Sequence, residues 1–283
     1  ENVSFKVEIV NKTQPEQLKI TVPPFRTDIH IPEDIIEEVG RLLGYDNIPL
    51  SLPTKPFSGS EISPMFHFKH ELRDILSGQL QMNELLTYSF VSRDLLEKVG
   101  QDPQNSYEIV NSISPELQCF RQQISPSLLD KVRENLKSGH HDFTFYELNQ
   151  VTRKDWGLSQ DNTPVIKTNL GIVSLGDCYH LKAQILALTR RGLRITLEYS
   201  QMAPGSKMAE QYPYLEPLHS VVVLVNNEVI GAFGEVKAGV LRRFKIDELV
   251  SSGEINLDAI INLPRNLERQ LRVSKFPFVG RDL

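Results

Sequence analysis

Apolar and polar residues alternate with a period of two near the start of the chain. The alternation runs over residues 3–9 and returns over residues 18–22, with a polar stretch between them. A period of two is typical of a half-buried strand, so residues 3–22 are predicted to form a β-hairpin. Pro23 and Pro24 end the hairpin because proline has no N–H to donate to a strand ladder.

The next pattern is helical and covers residues 32–43. Apolar residues recur there every three or four positions, at Ile35, Ile36, Val39, Leu42 and Leu43. This spacing predicts an amphipathic helix. Pro32 suits its first turn, and Gly44 suits the left-handed position that follows many helices.

Beyond residue 64 helical and strand-like segments are interspersed. Helices are predicted near 68–76, 93–99, 127–137 and 179–191, and strands near 85–91, 143–148 and 170–175. Residues 221–225 and 229–233 are predicted to pair as a hairpin around Asn226-Asn227-Glu228. Hairpins separated by single helices favour an α+β fold with an antiparallel sheet flanked by helices.

Composition limits the function classes that remain. The chain has 283 residues, of which 40% are hydrophobic and 24% charged, and this length corresponds to about two globular domains. No apolar run is long enough for a membrane span. The net charge of −5 argues against a protein that coats nucleic acid broadly, so any such contact must be local. The two cysteines, Cys119 and Cys178, suit a reducing cytosol.

The densest group of chemically capable side chains is acidic. Asp28 precedes the predicted helix 32–43, and Asp34, Glu37 and Glu38 share one face of it because residues three and four apart are neighbours. Four carboxylates in this arrangement can converge on a hard cation such as Mg²⁺. The competing interpretation is that acidic residues in a first helical turn only complement the helix dipole, with Arg41 pairing with Glu37.

Other clusters and motifs carry less information. His67 and His70 have helical spacing but no third ligand nearby, which favours an exposed pair over a metal site. Two basic clusters, at 190–194 and 242–245, can meet phosphate or simply form solvated faces. The chain contains no Gly-rich phosphate loop and no nucleophile elbow, so a self-sufficient enzyme of a common class is disfavoured.

Several motifs, in order, resemble one family. The segments 22–29 and 33–49 (VPPFRTDI and EDIIEEVGRLLGYDNIP) are similar to the B5 domain of the phenylalanyl-tRNA synthetase β subunit family. Further segments resemble that family's catalytic-like domain: 86–90, 111–116, 121–129, 145–148 and 230–235. Residues 274–283 look like the entry to its last domain.

The resemblance implies a domain organisation. Residues 1–53 are expected to be a partial, winged-helix-like B5 domain, and 54–64 a Pro/Ser-rich linker. Residues 65–272 are expected to form a catalytic-like domain with the class II synthetase fold, and 273–283 to begin a C-terminal domain with an anticodon-binding fold. The chain is then expected to be an excised piece of a longer subunit, because its first and last residues fall inside domains.

The resemblance also implies a role without chemistry of its own. The family's β subunit lacks the catalytic motifs, and Phe120-Arg121 is not followed here by the acidic residue of an F-R-x-E motif. Phenylalanine and ATP are then expected on a partner α subunit, in an α2β2 assembly that charges tRNA(Phe) in the cytoplasm. Asp28, Asp34, Glu37 and Glu38 match the positions of the family's magnesium ligands. No DNA or membrane partner is expected.

The sequence departs from the family pattern in places, which keeps two alternatives open. Gln122-Gln123-Ile124 replaces a usual small-residue segment, and Val236-Lys237 follows Gly234-Glu235 where a His-Pro is usual. The first alternative is a freestanding protein- or RNA-binding module that reuses the fold. The second is an autonomous magnesium enzyme built on the acidic helix, for which no substrate-binding loop is evident.

Overall fold

The structure, a computed structural model, describes residues 3–11, 17–54, 59 and 61–266. The chain divides after residue 60 into two units, 1–60 and 61–283. The predicted C-terminal segment 273–283 lies outside the described residues.

The first unit contains the predicted hairpin and helix. Strand β1, Lys6–Asn11, pairs antiparallel with β2, Gln17–Thr21. Helix α1 spans Pro32–Leu43, and Gly44 after it has a φ of +82°. That value lies in the left-handed region where glycine is favoured, so the helix ends where the sequence predicts.

The apolar side chains of this first unit are largely exposed. Phe5 is buried, but Ile9 is 57% exposed and Ile36 is 69% exposed. Helix α1 has no buried residue at all. The prediction of a half-buried hairpin is therefore wrong for most of β1. One hairpin and one helix offer too little apolar surface to cover each other's apolar faces.

The second unit contains six further helices and nine further strands within the described residues. The helices are α2 Pro64–Arg73, α3 Arg93–Lys98, α4 Ser125–Lys137, α5 Cys178–Leu186, α6 Lys207–Gln211 and α7 Ala238–Phe244. The strands are β3 Asn83–Glu84, β4 Phe90–Val91, β5 Cys119–Phe120, β6 Thr144–Thr152, β7 Ile166–Leu175, β8 Glu198–Gln201, β9 Leu215–Val225, β10 Glu228–Val236 and β11 Val250–Asn256.

Seven of these strands form one sheet in the order β3-β6-β7-β11-β10-β9-β8, while β4 and β5 form a separate pair. All neighbours in the large sheet are antiparallel except β3, which runs parallel to β6. The unit is therefore α+β, and the expectation of an antiparallel sheet needs correction at that edge.

Helices cover both faces of the large sheet. Strand residues alternate between the faces, as Tyr146 and Phe145 show. One face packs under α2 and α5 with Leu72, Leu76, Leu181, Ile185, Ile172 and Phe233. The other packs under α4 and α7 with Leu128, Leu129, Val132, Val173, Val222 and Leu241. Each face of the sheet is thus part of a hydrophobic core.

The remaining differences from the predicted elements are local. The hairpin β9–β10 forms around Asn226 and Asn227, both with positive φ, as this type of two-residue turn requires. Residues 85–89 are not a strand, whereas the sequence predicts one over 85–91. Helices α2 and α5 end in wider π-type turns, Asp74–Gln79 and Ala187–Gly192. Within the described part of the chain, no helix is long and apolar enough to cross a membrane.

Candidate functional sites

The acidic group of the first unit is organised around one arginine. Arg26 donates from Nε to Asp28 Oδ1 at 2.9 Å and from Nη2 to Asp28 Oδ2 at 2.6 Å. The same Nη2 lies 3.0 Å from Glu38 Oε1. Arg41 donates to the second oxygen of Glu38 at 2.7 Å. The structure thus brings Asp28 and Glu38 together, and both carboxylates bind the guanidinium of Arg26.

The other two predicted metal ligands lie elsewhere. Asp34 Oδ2 accepts from the backbone N–H groups of His30 at 2.7 Å and Ile31 at 3.0 Å, which satisfies donors at the start of α1. Glu37 is exposed and makes no hydrogen bond or ion pair with any described residue. The four carboxylates therefore have three different environments.

The electrostatics agree with this geometry. Hydrogen bonding to the Arg26 guanidinium lowers the pKa of Asp28 to about 2. The same guanidinium, with Arg41, lowers the pKa of Glu38, and the two backbone donors lower the pKa of Asp34. Within the ranges that the structure describes, no three His, Cys, Asp or Glu side chains are arranged to hold a metal ion. In this arrangement the carboxylates do not fit a magnesium site.

A buried ion pair lies in the second unit. Arg121 and Glu147 are almost completely buried and meet through Arg121 Nη2 and Glu147 Oε1 at 2.9 Å. Thr87 Oγ1 accepts from Arg121 Nη1 at 2.7 Å and donates to Glu147 Oε2 at 2.6 Å. These contacts place residue 87, which lies between β3 and β4, against the buried pair.

A second buried carboxylate holds the N-terminus of α4 against the sheet. Glu254 Oε2 on β11 accepts from the backbone N–H of Ile124 at 2.9 Å and of Ser125 at 3.2 Å. Asn169 donates to Glu254 Oε1 at 2.8 Å. Burial raises the pKa of Glu254, although these donors oppose the rise. Both buried carboxylates have partners within the chain.

Neither buried group was found from the sequence. Strand β11 reads Val-Ser-Ser-Gly-Glu-Ile-Asn, which lacks the apolar alternation of a strand. Its polar side chains are nevertheless buried, because Ser252 Oγ donates to Ile172 O and Glu254 has the donors just described. A short strand is indicated only by the apolar residues Val250 and Ile255 on either side of the polar positions.

A cleft opens between α5 and strands β8 to β10. It has a volume of about 460 Å³, and its polar lining includes Lys182, His219 and Glu235. His219 Nδ1 lies 2.5 Å from Glu235 Oε2. Cys178 also lines the cleft, and burial raises the pKa of its thiol, so it is not an activated nucleophile.

The remaining sequence candidates are on the surface. His70 is exposed and stacks edge-on with Phe66 at a centroid distance of 4.5 Å. Arg190, Arg191 and Arg194 are exposed and form no ion pair with the described residues. Arg243, from the other basic cluster, instead donates to the carbonyl of Lys98 at the end of α3.

Comparison with known proteins agrees with the motif order. The family model described as "Phenylalanyl tRNA synthetase beta chain CLM domain" matches residues 48–257, and the "tRNA synthetase B5 domain" model matches residues 1–45. The phenylalanine--tRNA ligase beta subunit of Clostridium tetani is 26% identical over 98% of this chain. That of Carboxydothermus hydrogenoformans is 26% identical over the whole chain.

The chain spans only about a third of these relatives, 35% and 36% of their lengths. Among solved structures, the pyrrolysyl tRNA synthetase PylSc of Desulfitobacterium hafniense superposes with a TM-score of 0.54 at 14% identity. The superposition covers 70% of this chain and 67% of that one. This likeness shows that the second unit has a class II synthetase-like fold. With a family model matched over most of its length, the chain belongs to the phenylalanyl-tRNA synthetase β chain family.

Proposed function

We propose that this chain is part of a phenylalanine–tRNA ligase β subunit and acts there as a non-catalytic structural partner. The observation that carries the proposal is the large sheet of the second unit. Both of its faces are filled by apolar side chains under α2, α5, α4 and α7, and its buried charges are paired internally. The charged side chains buried at this sheet, Arg121, Glu147 and Glu254, therefore have partners within the chain, as expected of a structural role.

The reaction chemistry then belongs to a catalytic α subunit. That subunit binds ATP and phenylalanine and transfers the amino acid to tRNA(Phe), in an α2β2 assembly in the cytoplasm. The family match and the lack of catalytic motifs support this division of labour. The domain bounds also stay part of the proposal: a winged-helix-like B5 domain to residue 53, a linker over 54–64, a catalytic-like domain over 65–272, and a further domain from 273.

Exposed apolar side chains lie on the two segments that lead into the small sheet β4–β5. Leu86 and Tyr88, just before β4, are 79% and 73% exposed. Val110 and Ile113, on the segment that leads to β5, are almost fully exposed. Apolar side chains this exposed are favourable to bury against another protein, so we propose these four residues as contacts of the α subunit.

The support for magnesium at the predicted ligands is divided. Their positions in the sequence match the family's ligands, which supports Mg²⁺ in the assembled enzyme. Their contacts here, with Arg26, Arg41 and the backbone, do not support it. No step of the reaction is assigned to this ion.

Phenylalanine-dependent ATP–pyrophosphate exchange tests the proposal. The purified chain is expected to give no exchange above the buffer blank, and a catalytic α subunit assayed beside it serves as the positive control. Clear exchange by this chain alone would contradict the proposal.

The freestanding-module alternative has less support. The relatives named above cover 98% or more of this chain and are all β subunits. It predicts tight, salt-sensitive RNA binding by the chain without α, because phosphate contacts release counterions. A filter-binding titration at two salt concentrations distinguishes the two functions.

A further inference from the structure

The guanidinium of Arg26 lies in a pocket built from three sides. Asp28 binds two of its nitrogens, at 2.6 and 2.9 Å, and Glu38 binds at 3.0 Å. The ring of buried Phe5 lies on a third side, with its centroid 5.5 Å from Arg26 Cζ. The Arg26 side chain is only 19% exposed.

This pocket matches a planar organic cation better than a metal ion. A guanidinium offers a flat fork that binds carboxylates side-on and a face that an aromatic ring attracts. Mg²⁺ requires near-octahedral oxygen ligands at about 2.1 Å and keeps several waters. An aromatic ring in the wall of the pocket supplies none of these ligands.

The charges of Asp28 and Glu38 are already balanced without a metal. Asp28 and Glu38 contribute two negative charges, and Arg26 and Arg41 contribute two positive charges within hydrogen-bonding distance. A divalent cation beside Arg26 meets like charge at short range, which is unfavourable. To coordinate Asp28 and Glu38, the ion has to displace both arginines.

We propose that Arg26 takes the place of the predicted magnesium ion. Its guanidinium joins Asp28, on the chain entering α1, to Glu38 in the middle of that helix. It thereby fixes the helix relative to the hairpin end at Phe5. The four carboxylates then do not form a divalent-cation site in this chain, and Arg26 is the residue that prevents one.

The proposal makes two linked claims about cation binding. The wild-type chain has no selective site for a divalent cation at residues 26–41. Replacing Arg26 with an uncharged residue frees Asp28 and Glu38 beside Asp34 and Glu37, and therefore raises divalent affinity. A structural magnesium site would instead bind the ion in the wild type, and replacing Arg26 would not raise the affinity.

Titration with Mn²⁺, a paramagnetic substitute for Mg²⁺, tests both claims on the full 283-residue chain. Broadening of backbone amide signals near α1 is measured for the wild type, Arg26→Gln and the matched control Arg41→Gln. We expect no selective broadening in the wild type up to about 1 mM, and at least about tenfold tighter binding in Arg26→Gln than in Arg41→Gln.

Three outcomes overturn the proposal. The first is sub-millimolar binding by the wild type that is lost in Asp28→Asn. The second is an Arg26→Gln variant that keeps the α1 amide pattern but gains no affinity. Should Arg26→Gln lose that pattern, Arg26→Met serves in its place, because methionine is uncharged and keeps an unbranched side chain. The third outcome is then an Arg26→Met variant that binds Mn²⁺ no more tightly than Arg41→Gln does.

Discussion

Arg121 Nη2 lies 2.9 Å from Glu147 Oε1, and both side chains are almost completely shielded from water. The Thr87 hydroxyl bonds to both side chains, and Asn149 donates to Glu147 Oε1 at 2.8 Å. Each charge therefore has several partners. Two charges are stable in such a place only while each has its partner. The pair therefore holds residue 87 against strand β6.

The first prediction concerns this pair. Arg121→Met leaves Glu147 buried without its counter-charge and is expected to lower the free energy of unfolding by about 3–5 kcal/mol. The double variant Arg121→Met/Glu147→Leu removes both charges and is expected to lose less than the sum of the single changes. Urea unfolding followed by circular dichroism measures Arg121→Met, Glu147→Leu and the double variant. Strictly additive losses would contradict an interacting pair.

The second prediction concerns pH and Glu254. Burial raises the folded-state pKa of Glu254 above the ordinary 4.5, so the folded state holds this proton more tightly than the unfolded state does. Its contribution to stability is fully present below pH 4.5 and is lost as the pH rises through the raised folded-state value. Relative to Glu254→Gln, the wild type is thus expected to lose stability as the pH increases above 4.5.

Urea midpoints of both proteins over a pH series give this difference. Glu228→Gln, an exposed position at the start of β10, is the matched control and should show no comparable trend. A difference between wild type and Glu254→Gln that stays flat with pH would rule out the raised pKa.

The third prediction concerns the close approach of α4 to the sheet. A Cβ built on Gly171 lies 2.6 Å from Ile124 Cβ, closer than real side chains come. Gly171→Ala is therefore expected to cost about 1–3 kcal/mol of stability through overpacking. Gly78→Ala, where a Cβ meets nothing within 4 Å, is the control. A loss in Gly171→Ala no larger than that in Gly78→Ala would contradict this overpacking.

The fourth prediction separates two of the four acidic residues. Asp34 bonds to two backbone donors at the start of α1, so Asp34→Ala is expected to cost that helix about 1 kcal/mol. Glu37→Ala removes no contact with a described residue and is expected to change little. Hydrogen exchange of the α1 amides measures both. Equal losses would indicate a shared site of the kind that the spacing first suggested.

The sequence predicted the elements with clear periodicity. Helix α1, helix α4 and the hairpin β9–β10 form close to where their apolar spacing and turn residues place them. Strand β11 was missed because its inward positions carry Ser252 and Glu254, whose partners come from distant strands and from α4. Such partners are not visible in a local pattern.

The candidate site was predicted in part, for a related reason. Spacing correctly placed Asp34, Glu37 and Glu38 on one helix. Helical spacing does not report which residue approaches from outside the helix. The Arg26 guanidinium comes from the preceding segment and binds Glu38 twelve positions later in the chain. The sequence showed four carboxylates but not the cation that two of them bind.

The central claim, that this chain is a structural partner of a catalytic α subunit, is tested most directly by measuring the mass of the mixture. Light scattering of the chain with the α subunit of a related phenylalanine–tRNA ligase is compared with the same mixture containing Leu86→Asp/Ile113→Asp. We predict a stable complex containing both chains for the wild type and loss of that complex for the variant. Separate masses for the wild-type chain and α would contradict the claim.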